Sequence, residues 1–219
     1  MTQLIVEQAG PVTLVGGGAL QAEDLRVAQT LAPYVVAADS GADQALAQGV
    51  RPDLTIGDLD SISAEARALL GTASLRHIGE QDSTDFDKAL RAMSAPVVLA
   101  VGFLGARLDH QLAVLHSLVQ PGRVPCILIG AHEIVFHLTH RLEVPCAPEE
   151  PVSLFSLASV QGRSTGLRWP IDGLTFHPMQ QIGTSNKAEG PITLEADGPG
   201  MLVMLQKSHL KTVMAQVQI

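Results

Sequence analysis

The decapeptide Pro52-Asp53-Leu54-Thr55-Ile56-Gly57-Asp58-Leu59-Asp60-Ser61 decides how the chain is read. Leu54-Thr55-Ile56 is a short apolar run of the kind that forms a buried strand, and it stops at a glycine followed by two acids. In an extended tip, Asp58 and Asp60 stand two residues apart and point to the same side. Two carboxylates held together repel one another, and a divalent cation between them relieves the repulsion. A polar turn leading into a helix capped by Ser63 explains the same residues without a metal.

Outward from this stretch, short apolar runs alternate with amphipathic ones. The pattern predicts strands at Val12 to Val15, Tyr34 to Ala38, Leu75 to Ile78, Val97 to Val101 and Cys126 to Ile129. Between them it predicts helices near Ala22 to Leu31, Ala42 to Gln48, Ala64 to Leu70, Thr84 to Met93 and Leu108 to Leu118. Thr84 and Asp87 have the spacing of a capping box. Strands and helices alternating at this spacing predict an α/β fold, a mainly parallel sheet with flanking helices. Ligands of such sheets bind beyond the carboxyl ends of the strands, where Asp39, Asp58 and the 102–109 loop all fall. After about Arg141, Pro145, Pro148 and Pro151 interrupt the chain and only short β-like runs follow. The expectation is an α/β domain over residues 1–142 and an all-β sandwich or flattened barrel over 143–219.

Composition narrows the function classes. Among 219 residues, 22 acids against 14 basic residues give a formal charge of −8, which argues against a nucleic-acid partner. Cys126 and Cys146 form no CxxC pair, so spacing suggests neither a zinc site nor a redox motif. No signal peptide is apparent and no apolar run reaches membrane-spanning length, so a soluble cytoplasmic protein is expected. Gly16-Gly17-Gly18 matches neither GxxxxGK[ST] nor GxGxxG and reads as a strand-to-helix turn. Asp39 ends one predicted strand, Asp58 and Asp60 another; Asp82 and Asp85 open a helix, and Asp109 follows Arg107. Acids converging on one end of a parallel sheet call for a cation, and Arg107 and Lys88 can hold phosphate oxygens. Lys88 is equally readable as a solvated helix residue.

Asp39-Ser40-Gly41-Ala42-Asp43, Gly57-Asp58-Leu59-Asp60-Ser61, Asp82-Ser83-Thr84-Asp85-Phe86 and Gly105-Ala106-Arg107-Leu108-Asp109-His110 follow the order of motifs in thiamine pyrophosphokinases. These run roughly DGGAN, GDxDS, D-x-TD and GGRxDH. Gly166-Leu167-Arg168-Trp169 is similar to that family's GLKW, and Thr184-Ser185-Asn186 to its STSN. The resemblance spans nearly the whole chain. It implies transfer of the pyrophosphoryl group of ATP to the hydroxyl of thiamine, giving thiamine diphosphate and AMP, with Mg²⁺ as cofactor. It further implies a homodimer whose active site is shared between subunits, and a β-domain serving thiamine binding and dimerisation. By motif match, Asp39, Asp58, Asp60 and Asp85 are the metal site, and Asp58, Asp60, Asp85 and Arg107 the catalytic set. Arg107, Asp109 and Lys88 would meet ATP, and Trp169, Thr184, Ser185 and Asn186 would meet thiamine. Trp169 can stack on a flat cationic ring or fill the β-domain core. Ser40, Asp43, Ala106 and Gly183 depart from the family pattern. Two rival readings are a DxD-type nucleotide-sugar transferase, which explains the acids alone, and a non-catalytic thiamine- or nucleotide-binding regulator.

Overall fold

A computed structural model describes residues 4–80 and 82–217. The chain forms two compact units, the first comprising residues up to 117 with Gly122–Ala131, the second Leu118–Pro121 with His132 onward. The division falls after Ala131 and not after residue 142, because Glu133–His137 pairs with Met201–Gln206 and so belongs to the second unit.

In chain order the first unit contains β1 (Val6–Glu7), β2 (Val12–Val15), α1 (Ala22–Leu31), β3 (Tyr34–Ala38), α2 (Gly41–Ala47), β4 (Leu54–Gly57), α3 (Ala64–Leu70) and β5 (Leu75–His77). It continues with α4 (Asp85–Arg91), β6 (Met93–Ser94), β7 (Val98–Val101), α5 (Leu108–Leu118) and β8 (Cys126–Ile129). Six strands pair in parallel in the order β8-β7-β2-β3-β4-β5, and β1 and β6 form a separate short parallel pair. Every residue of β2, β4, β7 and β8 is buried, which explains why they read as unbroken apolar runs and not as alternating ones. From β2 the chain steps to β3 on one side, and β7 joins β2 on the other side before stepping away to β8. The carboxyl ends of β2 and β7 therefore flank a switch point, where connections part and leave a crevice.

Local chemistry sets the helix starts. Ser63 caps α3 by accepting from the Ala66 amide at 3.0 Å, and Thr84 caps α4 by accepting from the Asp87 amide at 3.3 Å. The reciprocal half of the expected capping box is replaced: the Asp87 carboxylate accepts from Arg91 and Arg123, each at 2.9 Å, because those guanidiniums bind it more strongly than a backbone amide.

The second unit comprises β9 (Glu133–His137), β10 (Leu142–Val144), β11 (Pro151–Ser156), β12 (Val160–Leu167), β13 (Thr175–Phe176), β14 (Gly183–Ala196), β15 (Met201–Gln206) and α6 (Leu210–Val217). Its strands pair antiparallel in the order β13-β12-β14-β11-β15-β9, and β10 adds to β14. Alternate residues of β11 are buried, the signature of a sheet with one face on a core. The unit is not all-β. α6 buries Leu210, Val213 and Met214 at helical spacing, and Gln216 pins it to both backbone groups of Glu143, accepting at 2.9 Å and donating at 2.7 Å. No helix among the described residues is long and apolar enough to cross a membrane.

Candidate active site

Asp39 directly follows β3 with a left-handed backbone, φ 43°, and its side chain is buried. One carboxylate oxygen accepts from the Ser61 amide at 3.2 Å; the other, Oδ1, is buried without a hydrogen-bond partner. An ionised carboxylate left so is costly, and its strained backbone needs support from its surroundings. Burial, reinforced by Asp85 and by Asp58 and Asp60, pushes the Asp39 carboxyl above its ordinary value.

Asp58 and Asp60 follow β4, and one oxygen from each lies with one from Asp39 in a group whose members are all within 4.8 Å. The tip is not extended as expected. Leu59 adopts φ 63° because its side chain turns inward, into a core of Ala37, Ala42, Ile62, Ala66 and Leu70. The carboxylates converge through this turn and not through strand periodicity. Gly57 makes room for the approach: a Cβ there would stand 3.0 Å from the Asp39 Cβ and 3.1 Å from Asp85 Oδ1.

Asp85, the first residue of α4, reaches the group through Lys88. The Lys88 ammonium donates to Asp58 Oδ2 at 2.9 Å and to Asp85 Oδ1 at 3.0 Å, and the side chain is only 2% exposed. Lys88 is therefore neither a solvated helix residue nor a free phosphate ligand; it is an internal counter-ion inside the acidic cluster. Burial alone would lower its pKa, but the two carboxylates outweigh burial and raise it. In return Lys88 holds Asp58 below the ordinary carboxylate value.

A cavity of about 340 Å³ opens beside these acids, within the roughly 300–1,000 Å³ usual for small-molecule sites. Asp39, Asp85, Ser61 and Arg107 line it, as do Gly17 and Gly18 after β2 and Phe103 after β7. This is the crevice at the switch point. Gly16-Gly17-Gly18 earns its composition there: a Cβ at Gly17 would stand 2.1 Å from Ser40 Oγ, and one at Gly18 2.7 Å from the Gly102 carbonyl. Phe103 and His110 line the same cavity and were not among the candidate residues, although His110 closes a motif that was. Arg107 donates to Asp109 at 2.6 Å, and both side chains are mostly exposed. Asp109 is thus paired with Arg107 and stands outside the three-carboxylate group. Asp43, where the family motif has Asn, receives the Ser63 hydroxyl and, at 3.1 Å, its amide. It joins α2 to the start of α3, a structural task that accounts for the departure.

Within the second unit, Trp169, Thr184 and Asn186 line a separate cavity of about 190 Å³, together with Ile171, Phe176 and Ile182. Trp169 is 55% exposed, so it does not fill a core. Asn186 is buried and fixes it by accepting from the Trp169 amide at 3.2 Å and donating to its carbonyl at 2.7 Å. Arg168 lies 5.9 Å from the indole centroid. Ser185 is exposed with φ 65°, and its amide donates to Ser153 Oγ at 3.0 Å. A Cβ at Gly183 would approach a Phe176 ring carbon to 2.8 Å, so packing here favours glycine over the family's serine.

A buried orphan carboxylate oxygen beside two further carboxylates is a donor set that could hold a hard divalent cation, which takes oxygen ligands. Fold and site together define an α/β protein with an acidic crevice at the carboxyl end of a parallel sheet, followed by an antiparallel β unit. Residues 26–128 match the model of the thiamin pyrophosphokinase catalytic domain. The chain is 28% identical over 170 residues to thiamine pyrophosphokinase 1 of Arabidopsis thaliana, covering 67% of this chain and 62% of that protein. It is 30% identical over 155 residues to thiamine pyrophosphokinase 3 of Oryza sativa subsp. japonica, covering 62% and 58%. The matches thus span about three fifths of those relatives. A solved thiamin pyrophosphokinase from Candida albicans shares the fold, with a TM-score of 0.75 at 14% identity over 92% of this chain and 93% of that one. Over residues 26–128 the chain is thus similar to the thiamin pyrophosphokinase catalytic domain, and it shares the fold of a solved thiamin pyrophosphokinase.

Proposed function

We propose that this protein transfers the β,γ-pyrophosphoryl group of ATP to the hydroxyl of thiamine, releasing AMP and thiamine diphosphate. The observation that carries the reading is the group Asp39, Asp58 and Asp60, with its unpartnered buried oxygen on Asp39, the member that lines a cavity at the switch point. In this reading Asp39, Asp58 and Asp60 hold Mg²⁺, with Asp85 at the edge of the set. Bound there, the cation shields the polyphosphate and orients it for in-line attack. The thiamine hydroxyl attacks the β-phosphorus, the new O–P bond forms as the bond to the AMP oxygen breaks, and the hydroxyl proton leaves to a carboxylate. Lys88 lowers the basicity of Asp58, which suits that residue to ligation more than to proton transfer.

Arg107, at the cavity wall, exchanges Asp109 for phosphate oxygens, and Asp109 keeps the guanidinium aimed until then. Lys88 acts on ATP through Asp58 and Asp85, as the counter-ion held between them. Trp169, Thr184, Ser185 and Asn186 receive thiamine, the indole facing its flat cationic ring. The first unit is accordingly the ATP- and Mg²⁺-binding domain. The second is a sandwich-type β-domain for thiamine binding and dimerisation, and the enzyme works as a cytoplasmic homodimer whose active site draws on both subunits. A nucleotide-sugar transferase would use the acids but leaves the residues around Trp169 without a task. Replacing Asp58 by Asn tests the reading: AMP formation at saturating Mg·ATP and thiamine falls at least about 100-fold in a protein that stays folded. Turnover equal to that of the parent enzyme overturns the metal assignment.

A further inference from the structure

The second unit gathers another set of donors, chemically unlike the acidic cluster. The Cys146 sulfur, a Glu150 carboxylate oxygen and a His209 ring nitrogen all lie within 4.8 Å of one another. Cys146 and His209 are buried and Glu150 is half-buried. The group is drawn together by one short contact: His209 Nε2 stands 2.6 Å from Glu150 Oε2. We propose that Cys146, Glu150 and His209 form a binding site for a thiophilic divalent cation of the zinc type. Such a cation would tie the 145–150 loop to the turn that opens α6.

Ligand chemistry argues for this class of cation. One sulfur, one nitrogen and one oxygen is a mixed set that zinc accepts with tetrahedral geometry, whereas Mg²⁺ avoids sulfur. Metal–ligand distances of about 2.0–2.3 Å put tetrahedral ligand atoms roughly 3.5 Å apart, so side-chain rotations of about an ångström complete the site. The backbone positions are already fixed. The Glu149 amide donates to Ala188 O at 2.8 Å, the Ala188 amide to Glu150 O at 2.9 Å, and the Cys146 amide to Val144 O at 2.8 Å. His209 ends the single turn Lys207–His209 between β15 and α6. Three protein ligands leave a fourth position for water on the exposed side of Glu150. Burial first, and Glu150 second, push the Cys146 thiol up to about 12, so it carries its proton in the metal-free protein. Binding forms the S–metal bond, breaks the S–H bond and sends that proton to solvent.

The site is read without reference to activity, so its fate is separate from that of the proposed reaction. The purified full chain, treated with chelator, is titrated with Co²⁺ alone and followed by absorbance. The expected result is a thiolate-to-cobalt charge-transfer band saturating at one equivalent, removed by Zn²⁺ and not by Mg²⁺. Cys146→Ala and His209→Gln each lose the band, whereas Cys126→Ala and Asp58→Asn keep it. If either loss variant folds poorly, the band in the unmodified chain and in Cys126→Ala still decides. Absence of a charge-transfer band in the unmodified chain, or its survival in Cys146→Ala, overturns the proposal.

Discussion

Replacing Lys88 by Met keeps the length of the side chain and removes the positive charge that the structure places between Asp58 and Asp85. Lys88 is 2% exposed, while its partners are 17% and 33% exposed, so the ammonium is fully desolvated and the carboxylates only in part. Breaking a buried pair by deleting one partner costs about 3–5 kcal/mol, and the partial exposure of both acids puts the expectation near 3 kcal/mol. For a chain of this size that lowers the melting temperature by about 6–12 °C. The sign of the pH dependence follows from Asp58. Its folded-state pKa is depressed by Lys88, so the stability it contributes is present above the ordinary carboxylate value and is lost as the pH falls through the depressed one. Without Lys88 that contribution vanishes, and the gap between variant and parent is widest near neutrality and narrows once Asp58 protonates, below the ordinary carboxylate value of about 4. Calorimetry at neutral and acidic pH measures this directly, and Mg²⁺ should stabilise the variant more than the parent because a cation replaces the lost charge. A loss under about 1 kcal/mol at neutral pH, or one that does not shrink in acid, refutes the counter-ion role.

Asp39→Asn should stabilise the metal-free protein by on the order of 1 kcal/mol near neutrality while abolishing product formation. Its folded pKa is raised, so as the pH passes the ordinary value the unfolded chain ionises first and folding loses free energy; denaturant melts without divalent ions check the gain. Trp169→Ala should raise the thiamine KM by about 2- to 30-fold, from the roughly 0.5–2 kcal/mol of a cation–indole contact, and leave the ATP KM nearly unchanged in steady-state assays. Ser63→Ala should cost about 1 kcal/mol through loss of the α3 cap, visible as a melting-temperature drop of about 2–4 °C.

Much of the first unit was legible because parallel strands buried on both faces leave unmistakable apolar runs, and because glycines and acids mark their carboxyl ends. Val12–Val15 and Cys126–Ile129 have the expected bounds, and Ser63 and Thr84 cap the helices that follow them. Less was legible where tertiary contacts override local pattern. The aliphatic stem of Lys88 is apolar enough to be buried, but a lysine on an amphipathic helix carries no sign of which carboxylates it will meet. Leu59 turns into the core, a choice invisible to a two-residue repeat. Val160–Leu167 carries a weak strand signal because Gln161, Arg163 and Thr165 put polar side chains on the exposed face and Gly162 and Gly166 weaken strand propensity. α6 is short, and its three buried residues follow directly on the apolar strand β15. The Cys146–Glu150–His209 group joins residues 59 apart in sequence, beyond any spacing rule.

The central claim, pyrophosphoryl transfer at the Asp39–Asp58–Asp60 crevice, is met most directly by quantifying the products of Mg·ATP plus thiamine. AMP and thiamine diphosphate in equal amounts, both abolished by chelation of Mg²⁺, are predicted; ADP with thiamine monophosphate, or unconsumed thiamine, would contradict it.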